Sequence, residues 1–205
     1  MAREMDVVGG EFTRSWFRNR NLSTFREYVY PEMSGKPITY LELGVFEGMS
    51  MRWMGQHVLT HENARAVGID PWLITTKLSG EYMEDVMSRA HANLAVFGAV
   101  TLQRGSSAEV LRKMCGKPGF LGISKNTVDI CMVDGNHNSL AVLDDLIHVT
   151  KLVKVDGWIL LDDVENDRPK KDHVREGLTM WLERDPPVKL AWKHKYVECY
   201  QKTVI

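Results

Sequence analysis

Cysteine is scarce in this sequence: Cys115, Cys131 and Cys199 are the only ones in 205 residues. Three cannot all pair with one another and none falls in a C-x-x-C spacing, which excludes a disulfide framework or zinc knuckle and implies a reducing setting. Long apolar runs are missing too. No stretch approaches the roughly 20 apolar residues of a membrane span, and the opening residues, MAREMDVVGGEF, carry acids and lack a secretory hydrophobic region. Net charge is almost absent, at -1, so no nucleic-acid partner is expected. No internal repeat or low-complexity segment is present, and the expectation is a cytoplasmic protein without membrane attachment.

What remains is 44% hydrophobic and 26% charged, the composition of an ordinary folded chain. The apolar stretches alternate in kind along it. PITYLELG (37–44) reads as a buried strand, EGMSMRWMGQHVL (47–59) as a helix and ARAVGID (64–70) as a second strand. A helix over about 81–97, a strand and turn at AVTLQRGSS (99–107) and a short helix over 108–114 follow. TVDICMVD, a helix over 138–153, and GWILLDDV (157–164) continue the pattern. Near-continuous apolar strands alternating with helices predict a doubly wound, Rossmann-like α/β fold with a mostly parallel sheet. Residues 169–184 read as a further helix beginning at Pro169. The end, VKLAWKHKYVECYQK, reads as a C-terminal antiparallel hairpin, giving seven strands. Residues 1–36 are expected to form a helical cap or extension over a domain spanning 37–205.

In an open parallel sheet, ligands bind beyond the carboxyl ends of the strands. Gly44, Asp70, Gln103, Asp134 and Asp162 all fall at those ends. LELGVFEGMS places Glu42, Gly44, Phe46, Gly48 and Ser50 at a strand-to-helix turn, where glycine permits close backbone approach and the helix start offers free N–H groups. The turn lacks the lysine of a P-loop and the G-x-G-x-x-G of a dinucleotide site, so neither ATP nor NAD is favoured. Asp70, ending the next strand, can accept hydrogen bonds from two ribose hydroxyls or simply cap a turn.

Together, ELGVFEGMS, GIDPW and LQRGSS resemble three successive cofactor motifs of the class I S-adenosylmethionine-dependent methyltransferases, over about residues 38–203. The resemblance implies that Glu42 and Gly44 line the methionine end of the cofactor and that Asp70 holds its ribose. It places Gln103, Gly105 and Ser106 or Ser107 near the adenine or its adjoining loop. Trp72, in DPW directly after Asp70, is expected to pack against the adenine or to close the cofactor pocket. Within the family, DGNH (134–137) and DGWILLDD resemble the metal-dependent sugar O-methyltransferases of macrolide and aminocoumarin biosynthesis. Asp156 here stands where those enzymes carry a glycine. A homodimer is a further implication of the same resemblance.

The residues support a metal on their own chemistry. Asp134 ends the fourth strand, Asp162 and Asp163 end the fifth, and neighbouring strands lie about 4.8 Å apart, so three carboxylates can converge on one ion. Hard oxygen ligands favour Mg²⁺ or Mn²⁺ over zinc. Strand alternation nevertheless directs Asp163 away from Asp162 unless the chain has already turned. His137 is the candidate base, since its ordinary pKa lies near working pH, and Asp134 shares the catalytic role as ligand beside it. DGNH is equally ordinary turn chemistry, with Asp134 as a helix cap. Asp144 and Asp145 read as solvent-facing charges of an amphipathic helix, and Arg14, Arg18, Arg20 and Arg26 as scattered surface charges.

The expected activity is O-methylation of a small hydroxylated substrate, a sugar or diol, by S-adenosylmethionine with Mg²⁺ or Mn²⁺. Two alternatives stay open: a methyltransferase without metal, whose acids hold substrate directly, and a non-catalytic S-adenosylmethionine-binding protein.

Overall fold

The structure is a computed structural model and describes residues 5–73, 80–164 and 173–204. Five strands run parallel: β1 (Thr39–Leu43), β2 (Arg65–Asp70), β3 (Val100–Arg104), β4 (Val128–Val133) and β5 (Val153–Leu161). Beside β5 the chain adds an antiparallel hairpin, β6 (Val188–His194) and β7 (Val197–Lys202), giving the sheet order β3-β2-β1-β4-β5-β7-β6. This is the doubly wound arrangement expected, hairpin included.

Helices cover both faces. Three short helical segments open the chain: α1 (Trp16–Arg20), α2 (Leu22–Thr24) and α3 (Tyr30–Met33), the last two joined by a π-helical turn over Phe25–Val29. The connections between strands are α4 (Met49–His57), α5 (Gly80–Leu94), α6 (Ser107–Gly116) and α7 (Ser139–Leu152), and α8 (His173–Leu182) precedes the hairpin. Strand alternation sorts the core into two layers. Tyr40, Ile130 and Met132 pack with Phe25, Trp53, Met54 and Val86 under the N-terminal helices, α4 and α5. Leu41, Leu43, Cys131 and Val133 pack with Leu111, Leu146, Val149 and Trp181 under α6, α7 and α8. Phe25 and Trp53, both wholly buried, meet edge to face at 5.7 Å. Burying a side chain of Phe size stabilises by about 1.5–3 kcal/mol, so the N-terminal helices are anchored by their own apolar face.

The segment before α1 is pinned along α4 and α5. Val8 N–H donates to Gln56 Oε1 (3.0 Å), Glu11 N–H to Asn93 Oδ1 (2.8 Å) and Thr13 N–H to Glu47 Oε2 (2.8 Å). Glu47 is buried and also holds Arg89 at 2.6 Å.

Two local readings differ from the structure. β5 begins at Val153 rather than at Gly157, and its pairing with β4 shifts register between Val128 and Ile130. Asp156 lies at this irregularity with φ +64°, a left-handed conformation that glycine adopts freely and that Asp tolerates better than branched residues do. That accounts for an acid where the resemblance has glycine. The second difference is in α7. Asp145 is 1% exposed while Leu140 is 64% exposed, the reverse of an Asp-out, Leu-in face. Helix α7 packs against the sheet, α6 and α8, so its buried arc is wide enough to take in Asp145. Gly177 permits the α8 contact, because a Cβ there would sit 2.5 Å from the Ser139 carbonyl oxygen. The expected helix start at Pro169 lies outside the described residues, as does part of the loop after Trp72.

All three cysteines are free. Among the described residues, no helix is long and apolar enough to cross a membrane.

Candidate active site

At the carboxyl end of β1 the chain makes a turn that only glycine can make. Gly44 has φ +89°, and a Cβ on it would lie 1.9 Å from the Asp134 carbonyl oxygen. The absent side chain lets the end of β1 touch the end of β4. Gly48, at φ +79°, caps α4 without any side-chain acceptor, so among the described residues no N-cap side chain takes up the N–H groups of that helix's first turn.

The acids around this turn are fully engaged. Glu42 is 1% exposed and lies beneath the turn, accepting from the Tyr40 hydroxyl and the Ser50 hydroxyl, both at 2.5 Å. Burial pushes its pKa up to about 7, with the two hydroxyls pulling the other way. Asp70 accepts from the N–H groups of Val45 and Phe46 (2.9 Å each) and of Trp72 (2.7 Å). It therefore fixes the glycine turn from below, and burial raises its pKa against those three bonds. Trp72 is wholly buried and its indole N–H donates to the Phe46 carbonyl at 2.9 Å, propping the same turn.

The remaining residues assigned to the cofactor lie along the neighbouring loop. Gly105 N–H donates to the Asp70 carbonyl (3.0 Å), and Gln103 bonds to the Arg104 carbonyl (2.7 Å). Ser106 is the N-cap of α6, accepting from Glu109 N–H at 3.3 Å, and Ser107 is its first residue. Over the turn, Arg14, Trp16, Phe46, Ser50 and Asp134 border a small cleft of about 60 Å³. Trp16 is exposed and stands 4.8 Å from the Phe46 ring.

A second acid group lies at the ends of β4 and β5. Asp134, His137 and Asp163 each present a ligand atom within 4.8 Å of the other two. His137 Nε2 is 3.8 Å from Asp134 Oδ1 and 3.6 Å from Asp163 Oδ2. Asp163 reaches this cluster because β5 has ended at Leu161 and the residue takes φ +57°, escaping strand alternation. Asp162 stands outside that trio of ligand atoms. It is buried, its Oδ2 accepts from Asn21 Nδ2 at 2.7 Å, and its Oδ1 has no hydrogen-bond partner among the described residues. Burial holds its pKa well above the ordinary value, and Asp134 and Asp163 add to the shift. Burial likewise raises Asp134, and pairing with Asp134 raises His137.

The N-terminal helices complete this end of the site. Arg20 contacts Asp163 Oδ1 at 2.6 Å with its guanidinium 4.3 Å above the Tyr196 ring, so consecutive residues Arg20 and Asn21 meet consecutive acids. Nothing in the spacing of the N-terminal arginines singles out Arg20. Arg18 pairs instead with Asp6, and Arg26 donates to the Met5 carbonyl. Asp145 also escaped sequence reasoning. Burial pushes its pKa up to about 6 near the Ser107 hydroxyl, and neither of its oxygens has a hydrogen-bond partner among the described residues.

The fold and this edge of the sheet define a class I methyltransferase. A family described as "Methyltransferase domain" matches residues 41–164, and the chain belongs to it; S-adenosylmethionine is the methyl donor that this membership supports. Among curated proteins, the chain is 28% identical over 131 residues to an uncharacterized protein, R132, of Acanthamoeba polyphaga mimivirus, covering 64% of this chain and 53% of that one. The chain thus spans about half the length of that relative. Among solved structures, the fold is similar to that of CalS11, a TDP-rhamnose 3'-O-methyltransferase of calicheamicin biosynthesis. There the TM-score is 0.56 and the identity 16%, over 80% of this chain and 71% of the other. A Clostridium thermocellum protein assigned as an rRNA methylase is similar with TM-score 0.62 and 14% identity, over 94% and 98% of the two chains.

Proposed function

We propose that this protein transfers a methyl group from S-adenosylmethionine to a hydroxyl of a small molecule, a sugar or vicinal diol, with Mg²⁺ or Mn²⁺ at the ends of β4 and β5. The observation that carries this reading is the meeting of Asp134, His137 and Asp163 within 4.8 Å, on the strand end that touches the Gly44 turn. Two carboxylates, and beside them the buried Asp162 Oδ1, which has no hydrogen-bond partner among the described residues, make a donor set suited to a hard cation. Asp134, Asp162 and Asp163 would hold the ion. Bound there, a divalent cation supplies positive charge that favours the ionised form of a substrate hydroxyl.

The N–H groups at the start of α4 suit the carboxylate of the donor's methionine portion. The donor itself brings an activated methyl sulfonium, so the protein's task is position and proton handling. Glu42 and Asp70 act through the turn they hold, and Trp16 with Phe46 shields its outer side from water. His137 is half exposed and takes the hydroxyl proton on its ring nitrogen, with Asp134 orienting the ring.

A second reading, methyl transfer without metal, is favoured by Arg20, whose guanidinium already sits on Asp163. Calorimetry with S-adenosylhomocysteine, then with Mg²⁺ or Mn²⁺, tests both. The metal reading expects the product analogue to bind, the cation to bind the acid cluster, and activity on polyol acceptors to vanish with EDTA and return with Mg²⁺. Activity indifferent to EDTA leaves the Arg20 reading standing, and a folded protein that ignores S-adenosylhomocysteine sinks both.

A further inference from the structure

The amino ends of β4 and β5, opposite the acid cluster, border a cavity of about 480 Å³. Asn126 on its wall and Asp134 at the acid cluster lie at opposite ends of β4, eight residues apart, or roughly 25 Å at ~3.3 Å per residue. The cavity is therefore separate from the methyl-transfer cleft. Its apolar wall is made by Ile147, Trp181, Pro186 and Pro187.

Four cations border the cavity, Lys125, Lys151, Arg184 and Lys202, and no described acid lines it. Lys202 is the unusual one, at 3% exposure. Its ammonium donates to Asn126 Oδ1 (2.6 Å) and to the carbonyls of Thr150 and Val153 (2.9 Å each). These bonds use all three of its protons and cap the carboxyl end of α7, where the full charge of the ammonium outweighs the roughly half-unit negative pole of the helix. They supply no counter-charge. Among the described residues no carboxylate pairs with Lys202, and a buried charge without a counter-ion is costly. Burial accordingly pulls its pKa below that of an ordinary lysine.

The other three cations are exposed and also lack an acid partner among the described residues. Their aliphatic stems can extend the apolar wall while the charged heads face the opening. The volume falls within the range of small-molecule sites, about 300–1,000 Å³.

We propose that this cavity is a second ligand site, one that takes an organic anion: a carboxylate, sulfonate or phosphate carried on a flat apolar body. The apolar wall accepts the body, Lys125, Lys151 and Arg184 bind the anionic head, and Lys202 supplies fixed positive potential beneath. The proposal does not depend on the methyl-transfer reaction assigned to the other edge.

The test uses the full chain and two fluorescent probes with the same aryl body, anilinonaphthalene sulfonate and its uncharged counterpart phenylnaphthylamine. The sulfonate is expected to bind once per chain and the uncharged probe about tenfold or more weakly, the worth of one charge-assisted hydrogen bond. Lys151→Gln combined with Arg184→Gln should weaken the sulfonate about tenfold or more while S-adenosylhomocysteine binding and the melting temperature stay unchanged. Equal affinity for both probes, unchanged sulfonate affinity in the double variant, displacement of the sulfonate by S-adenosylhomocysteine, or no probe binding would each overturn the proposal.

Discussion

Two groups of acids share one edge of the sheet and are treated oppositely. Around the glycine turn, both oxygens of Glu42 and both of Asp70 accept hydrogen bonds from the protein. At the ends of β4 and β5, Asp162 has one bonded oxygen and one without a partner among the described residues, Asp163 meets Arg20 through one oxygen only, and Asp134 faces His137 at more than hydrogen-bonding distance. An acid whose bonds are complete within the fold is there to hold the fold. An acid left incomplete, and crowded by other acids, is poised for something from outside.

Breaking the incomplete group should have the largest effect. Asp134→Asn is expected to cut methyl transfer about 1,000-fold and to flatten a calorimetric Mg²⁺ titration, with little loss of melting temperature because a repelling charge is gone. Near-normal turnover would move the chemistry away from this edge.

The complete group should respond through stability and pH instead. Glu42 has a folded pKa of about 7 against an ordinary 4.5, so between those values the folded chain binds more protons than the unfolded one. Stability from this residue is then highest near about pH 4.5 and falls as pH rises towards 7, by up to about 3 kcal/mol. Glu42→Gln is expected to remove that fall, seen by urea unfolding at about pH 5 and about pH 8. An unchanged pH slope would mean that Glu42 is ionised in the fold at no cost.

Asn21→Ala separates the groups further. It strips Asp162 of its side-chain donor among the described residues and should cost about 2 kcal/mol of unfolding free energy, the desolvation penalty of a buried oxygen left unsatisfied; a loss below about 0.5 kcal/mol would show that water replaces the amide. The smallest effect is expected at Ser106→Ala, about 1 kcal/mol for a lost N-cap, measured by denaturation. Unchanged affinity for S-adenosylhomocysteine in that variant would confine Ser106 to capping.

Much of this contrast is readable along the chain and some of it is not. Apolar runs ending in acids locate the strands and put Glu42, Asp70, Asp134 and Asp162 on one edge, because a parallel sheet leaves its strand ends nowhere else to go. Which oxygen is satisfied depends on partners distant in sequence, and periodicity carries no information about them. Asp163 reaches His137 through a single left-handed residue that no alternation pattern encodes. Asp145 reads as exposed from its charge and is buried because three neighbours enclose α7. Arg20 and Asn21 look like any polar pair on a short helix until the acids of β5 are set beneath them.

That last contact bears on how the chain assembles. Asn21 and Asp162 are 141 residues apart, so Asn21 leaves the ribosome well before its partner does. Closing so long a loop is entropically unfavourable until other contacts have shortened it. The N-terminal helices can settle on Trp53 early, through their apolar face, but the polar bonds that complete the site must wait for β5. Acquisition of a finished centre should therefore be the closing event of folding, and a nascent chain released before β5 would carry its N-terminal helices in place beside an unfinished site.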